Sequence, residues 1–461
     1  MRTVTGAAPA VSHWLAQLGP LVPRDALEGD READVCIVGG GLTGLWTAYE
    51  LRRAAPELEV VVLEAQVVGF GASGRNGGWV LGELAGPTRR WIARAGHDGA
   101  RAMTLAIQAT VDEVGAVVDR EGIDCDFVKG GTLSLAHSAA QLDRLRAQHR
   151  ADVDEAIGHE DSTLLDAAQT RGRVLVRGAR GAVFSPHCAR VQPARLVHGL
   201  ATAAERVGVT IHEQSAVSAI QAREARTASG SVRARYVVRA TEGYTARLPG
   251  LQRRLLPMNS SMIVTEPLED AAWASIGWQR QETLRDNAHV FAYLQRTADG
   301  RIAIGGRGVP YRYGSQTDRE GPVPARTVRE LRARLVSLFA ACADVPIAAA
   351  WHGVFGVARD WMPAVGLDRA SGLAWAGGYV GEGVAAANLA GRTLRDLILG
   401  RDSELTRLPW VGVTARAWEP EPLRFIGSRG IYRLYRLADA LESRRGHPSA
   451  VARVADRVAG R

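Results

Sequence analysis

The sequence predicts an α/β protein in which a parallel-sheet domain is interleaved with an α+β domain built on a mostly antiparallel sheet. Three observations predict it. Two short apolar runs, Asp34–Val38 and Val60–Leu63, flank a stretch of helical periodicity, giving a β–α–β unit of about 30 residues with parallel strands. Residues 257–306 are strand-rich, with Asp299-Gly300 between two apolar runs as a hairpin turn. Finally, Gly372 to Gly383 encloses another apolar strand and a glycine-rich turn, followed by a helix from about Val384 to Leu399 that stops at Gly400.

A chain of 461 residues exceeds what one hydrophobic core usually supports. The expected division is a lead-in over 1–30, a first domain from 31–86, 181–250 and 351–400, a second from 87–180 and 251–350, and a helical tail over 401–461. Within it, Leu42, Leu45, Trp46 and Tyr49 recur at helical spacing, and helical patterning returns over 99–121 and 138–150. Phe127–Ala136 reads as a strand with Gly130 and Gly131 at a bulge. Pro193–Ala201 opens a helix, and strands follow at Val209–His212, Ser215–Ile220 and Tyr236–Ala240.

Bulk properties remove several function classes. The formal charge is +8, but arginines are spread along the chain, Lys129 is the only lysine, and no dense basic run carries interleaved aromatics. A nucleic-acid partner is therefore not expected. Cys36, Cys125, Cys188 and Cys342 are far apart and form no CxxC pair, which argues against a disulfide framework or a metal site and fits a reducing cytoplasm. No run approaches the roughly 20 apolar residues that span a bilayer, and the N-terminus makes a poor signal peptide. A cytoplasmic monomer or homodimer is the expectation.

The chemistry is carried by Gly39-x-Gly41-x-x-Gly44. Its first glycine permits a tight strand-to-helix turn, its second lets a pyrophosphate approach the backbone, and its third lets the helix pack closely on the strand. Phosphates then meet the free N–H groups and dipole of a helix N-terminus, here Leu42 and Thr43. Glu64 closes the second strand 20 residues after Gly44, placed to accept hydrogen bonds from an adenosine ribose and to disfavour a 2′-phosphate. With strand, helix and acid in register, this is a Rossmann-type dinucleotide-binding signature. The motif alone does not separate NAD from FAD.

Residues 64–79, with Gly-Ala-Ser-Gly-Arg-Asn-Gly-Gly at Gly71–Gly78, resemble the D-amino-acid oxidase, glycine oxidase and sarcosine oxidase superfamily, most of all its γ-glutamylputrescine oxidase-like members. The resemblance continues at Thr241-Glu242-Gly243-Tyr244-Thr245, Asp360-x-x-Pro363-x-x-Gly366 and Gly377–Gly383, spanning about residues 30 to 400. It implies FAD, with Ala65, Gly71, Ala72, Ser73, Arg75, Asn76, Gly77 and Gly78 around the ribose, pyrophosphate and flavin. It also implies that Val217 meets the adenine, with Ala240, Thr241 and Tyr244 nearby. Gly378, Tyr379, Gly381, Glu382, Gly383 and Val384 would close over the isoalloxazine, where a helix dipole suits the edge that becomes anionic on reduction. A carboxylate such as Glu382 equally complements a helix N-terminus. The attachment cysteine of sarcosine oxidase-like members has no counterpart, so FAD is expected to be non-covalent.

The resemblance implies an amine oxidase, passing hydride from an amine C–H to flavin N5 and giving an imine and, with O2, hydrogen peroxide. A dehydrogenase using another acceptor and a catalytically silent flavin-binding protein are the alternatives. Glycine oxidase-like members carry Trp-x-Gly-x-Arg-Pro, whose arginine holds the substrate carboxylate; this chain reads Trp351-His352-Gly353-Val354-Phe355-Gly356, with Phe355 at that place. An aromatic ring makes no such ion pair, so an amine is expected rather than an α-amino acid, with Trp351 and Phe355 beside it and Arg285 a substitute clamp. His352, Tyr293 and Arg307 are the candidate catalytic residues, His352 for its suitable pKa, against a packed histidine beside Trp351. The lysine that sarcosine oxidase relatives place near flavin N5 is missing, since Lys129 reads as a remote strand residue.

Overall fold

Residues 11–306, 310–317 and 323–459 are described by a computed structural model. Arg31–Val38 is a strand whose last four residues are buried, and it pairs in parallel with Val60–Leu63 on one side and Ser231–Arg239 on the other. Burial on both faces explains why Val35–Val38 and Val60–Leu63 read as unbroken apolar runs. Thr210–His212 extends this sheet past Val60–Leu63, while Leu373–Gly377 and Ala364–Asp368 extend it the other way. Leu42–Ala54 and Gly383–Leu399 pack together on it, and a Cβ at Gly391 would lie 2.7 Å from that of Trp46. Only glycine lets these two helices approach so closely.

The second sheet runs in the order Ile347–Val357, Leu256–Thr265, Ile302–Gly306, Tyr293–Arg296, Thr283–Asp286, Thr132–Ala136, Gly181–Ser185, Thr163–Asp166. All its pairings are antiparallel except Thr132–Ala136 with Thr283–Asp286. The hairpin at Asp299-Gly300 is present, with Gly300 at φ +74°. The fold is thus α/β with an interleaved, mostly antiparallel α+β unit. Gly181–Ser185 and Ile347–Val357 lie in this second sheet, although the segments 181–250 and 351–400 were expected in the first domain.

Three further expectations change. The helix expected over 99–121 begins at Thr88 and bends where Gly96 takes φ +69°. In place of one strand over Phe127–Ala136, a lone bridge at Val128 precedes Gly130 and Gly131, and pairing in the second sheet begins only at Thr132. Ser215–Ile220 is mostly not a strand, because the Ser215 hydroxyl is taken by the Leu27 N–H and the Ser215 N–H by the Glu64 carbonyl; pairing begins at Ala219.

The lead-in forms one short helix, His13–Ala16, that inserts Trp14 and Leu15 into a buried cluster with Met262 and Trp351. The tail forms Leu423–Arg445 and Ala450–Ala459, tied to the body by Trp418 Nε1 donating to the Val357 carbonyl (2.7 Å) and Trp361 Nε1 to that of Ala459 (3.0 Å). Among the described residues no helix is long and apolar enough to cross a membrane.

Candidate active site

The first strand ends in a turn that only glycines permit. Gly39 adopts φ +116°, and a Cβ there would sit 2.6 Å from the Ala240 carbonyl oxygen. A Cβ on Gly44 would lie 2.0 Å from the Gly39 carbonyl oxygen, so this glycine sets how tightly the helix closes on the loop. Gly41 is the N-cap and has no side chain to cap the first turn. Such amides point out of the helix end, where they bind anions. Glu64 bridges the ends of this loop, accepting from the Gly40 N–H (2.8 Å) and the Gln66 N–H (3.0 Å). Burial pushes its carboxyl up to about 6 against those bonds.

The segment 74–77 is held by four remote donors. Ser12 Oγ donates to the Gly74 carbonyl (2.7 Å), Trp351 Nε1 to Arg75 (2.9 Å), Trp14 Nε1 to Asn76 (2.9 Å) and Gln295 Nε2 to Gly77 (2.7 Å). Inside the loop, Asn76 donates to the Ser73 carbonyl and accepts from the Gly78 N–H, while Arg75 donates to the Phe70 carbonyl. Four consecutive carbonyls gripped from elsewhere fix this backbone as firmly as a sheet would.

The late glycine turn is braced by Glu242. Its carboxylate accepts from the Gly378 N–H (3.0 Å) and the Tyr379 N–H (3.2 Å), while Gly377, Gly378 and Gly381 hold positive φ. Burial pushes this carboxyl up to about 7, opposed by the N–H bonds and by Arg239. The Tyr379 hydroxyl meets that of Thr43 at 3.1 Å, joining this turn to the start of the first helix.

Between these three pieces runs a cleft of about 400 Å³, from Glu64 and Val217 past Gly41 and Ser73 to Phe355 and Val384. It adjoins a smaller cavity of about 140 Å³, walled by Trp79, Phe291, Tyr293, Phe355, Arg285 and Glu382. Ala72, Asn76, Val354, Phe355, Gly381 and Val384 line both, so the two spaces are continuous along one wall.

The family profile described as DAO, FAD dependent oxidoreductase, matches residues 34–397. The chain belongs to this family. It is 33% identical over 396 residues to the gamma-glutamylputrescine oxidoreductase of Escherichia coli (strain K12), covering 84% of this chain and 89% of the relative. Its fold matches the glycine oxidase of Geobacillus kaustophilus (TM-score 0.66, 23% identity, 81% of this chain and 96% of that one). It also matches the L-proline dehydrogenase of P. horikoshii (TM-score 0.67, 19% identity, 83% and 98%).

As a DAO family member the protein is an FAD-dependent oxidoreductase, and the cleft fits that cofactor: a helix start with glycine at its N-cap and only the Ser73 hydroxyl on its Leu42 N–H, glycines whose Cβ atoms would collide, and an acid at the ribose position. Gly39, Gly41, Leu42, Thr43, Glu64, Ala65, Gly71, Ala72, Ser73 and Asn76 line it, as do Val217, Ala240, Thr241, Tyr244, Tyr379, Gly381, Gly383 and Val384. Arg75, Gly77 and Glu382 face the smaller cavity. Gly44, Gly78 and Gly378 act one layer back; a Cβ on Gly78 would strike Gln295 Nε2 at 2.1 Å.

The substrate-side expectations fare differently. Tyr293 and Phe355 are in the smaller cavity, with the Tyr293 hydroxyl 3.0 Å from Ser260 Oγ. Trp351 is not; it shares a strand face with Phe355 but lies four residues away along the strand, where it packs edge-on against Trp14 and holds the Arg75 carbonyl. His352 is buried in the same strand and lines neither cavity. Arg285 reaches the cavity, but its fork is bound by Glu83 through two hydrogen bonds of 2.7 and 2.9 Å, so it is not a vacant carboxylate clamp. Arg307 lies outside the described residues. Lys129 pairs with Asp112 at the surface. Glu242, Gln295, Trp79 and Phe291 carry no assigned role in the sequence reading: Glu242 and Trp79 stand inside the matched motifs, Phe291 sits beside Tyr293, and Gln295 works through Gly77, 218 residues away.

Proposed function

We propose that this protein oxidises an amine at the carbon bearing the nitrogen, giving an imine, with non-covalent FAD as acceptor and O2 taking the electrons to form hydrogen peroxide. One observation carries the reading: the cavity at the end of the cofactor cleft is walled by four aromatic rings, and both arginines in its lining are engaged, Arg285 by Glu83 and Arg75 by the Phe70 carbonyl. Such a space excludes water and suits a neutral amine better than a carboxylate-bearing substrate. The similarity to a gamma-glutamylputrescine oxidoreductase supports an amine donor. FAD, when bound, supplies the hydride acceptor and the relay of electrons to O2. The chain's own residues position the donor. The Tyr293 hydroxyl, oriented by Ser260, accepts an N–H from the amine, Phe355 and Trp79 press the carbon inward, and Glu382 draws the cationic form of the substrate to the wall. Cys342 is buried in the second core, away from the cleft, which supports non-covalent attachment.

A second reading, electron delivery to an acceptor other than O2, is favoured by the position of Lys129, which leaves no lysine at either cavity. Anaerobic mixing with a library of primary and secondary amines tests the first step, and flavin that no amine bleaches would sink it. Peroxide produced in equal measure to amine consumed then favours O2; dye-dependent turnover without peroxide favours the second reading.

Two expected outcomes arise here. A ribose hydroxyl held at Glu64 would donate to its ionised form, whereas the free carboxyl is pushed up to about 6, so FAD binding would displace a proton below that pH. FAD affinity should therefore rise several-fold from pH 5 to pH 7.5, and Glu64→Gln should flatten the profile in fluorescence titrations. Phe355→Arg should shift preference toward small amino acids by returning a cation to the cavity wall. A folded variant with no gain in amino-acid turnover would count against the role given to Phe355.

A further inference from the structure

Beyond Arg285 lies a third space, a polar cavity of about 230 Å³. Arg285 is the one residue that lines both it and the aromatic cavity. Its guanidinium is held by Glu83 and by Ser134 Oγ (2.6 Å from Nε), so the Arg285–Glu83 pair forms the partition between the two spaces. The outer walls carry Asp152, His149 and His159. Asp152 accepts from Gln148 Nε2 at 2.8 Å, and among the described residues no arginine or lysine pairs with it. Burial raises its pKa and the Glu83 charge adds to this, while Gln148, His159 and His149 oppose it, which places both carboxylates and both imidazoles near one another. Against the one guanidinium in its lining, that of Arg285, the chamber sets two carboxylates, Glu83 and Asp152. A partly dehydrated carboxylate of that kind is stabilised by a cation brought to it.

We propose that this chamber is a subsite for the far ammonium group of a two-headed amine, an α,ω-diamine, held by Asp152 and Glu83 while the near carbon lies in the aromatic cavity. The methylene arm runs past the partition, displacing Arg285 from part of its contact with Glu83. The inference rests on the amine reading above and names the substrate class for it.

The test uses the FAD-loaded enzyme with α,ω-diamines of three to eight carbons beside n-alkylamines of equal length. At the best length the diamine should show a KM at least about tenfold below that of its alkylamine. Asp152→Asn should raise the diamine KM by a similar factor while leaving kcat and the alkylamine KM unchanged. Glu83→Gln, which frees the Arg285 fork, should turn preference toward ω-amino carboxylates. Equal KM values for diamine and alkylamine at every length, or an Asp152→Asn effect on both alike, would overturn the subsite. Binding is read separately, from the shift of the oxidised flavin band on diamine titration. Saturable binding that Asp152→Asn weakens, without flavin reduction, keeps the subsite and overturns amine oxidation; neither binding nor reduction overturns both.

Discussion

Gly41→Leu is expected to yield a folded, colourless protein. Gly41 has φ −89° and ψ −177°, an extended conformation that leucine adopts without strain, so the backbone should survive. The new Cβ would stand 2.8 Å from Ser73 Oγ, the atom that accepts the Leu42 N–H, and the rest of the side chain would fill the mouth of the cleft. A diphosphate can no longer reach the helix start, and the favourable dipole goes unused. A loss of at least about 100-fold in FAD affinity, roughly 3 kcal/mol, is expected. The flavin-to-protein absorbance ratio after purification reads the loss, and circular dichroism checks the fold. A variant that still purifies yellow at full stoichiometry would refute the phosphate site. Gly44 gives a poorer test, because a Cβ 2.0 Å from the Gly39 oxygen would disturb the fold itself.

Removing the Glu242 side chain should have the second-largest effect. Glu242→Ala leaves the N–H groups of Gly378 and Tyr379 without their acceptor in a closed site, at about 1–3 kcal/mol each. Stability should fall by about 2–6 kcal/mol in denaturant unfolding, and flavin retention should drop with it as the turn slackens. The pH dependence has a definite sign. The folded carboxyl titrates near 7, above its ordinary value of 4.5, so its stabilising contribution is full below 4.5 and is lost as pH rises through 7. Glu64, pushed up to about 6, acts in the same direction. The FAD-free protein should thus weaken between pH 5 and pH 8. Glu242→Gln should remove much of that slope, and adding Glu64→Gln should remove most of the rest. An unchanged slope in the double variant would show that these carboxyls do not govern it.

These cases show what was legible in the sequence. The glycine motif spans six residues and its reasons are local: a positive φ, a close approach and a tight helix start. Local reasons leave local marks. Arg285 could be recognised as a possible clamp, but the partner that occupies it lies 202 residues away. Trp351 was expected beside the substrate; its bond partner is the Arg75 carbonyl, 276 residues distant, and its ring packs on Trp14 of the lead-in. His352 failed for a related reason: a strand was legible, but which wall each of its residues faces depends on the second sheet's packing. Residues 215–218 kept the apolar look of a strand while their hydrogen bonds served the loop beneath the cleft.

The grip of Ser12 and Trp14 on residues 74 and 76 ties chain integrity near the start to retention of the yellow colour. A protease that nicks just beyond Trp14 would act as a flavin-releasing agent. Cleavage there and the growth of free-flavin fluorescence should share one time course. Excess FAD should slow both, because ligand binding disfavours the opened form that a protease can attack.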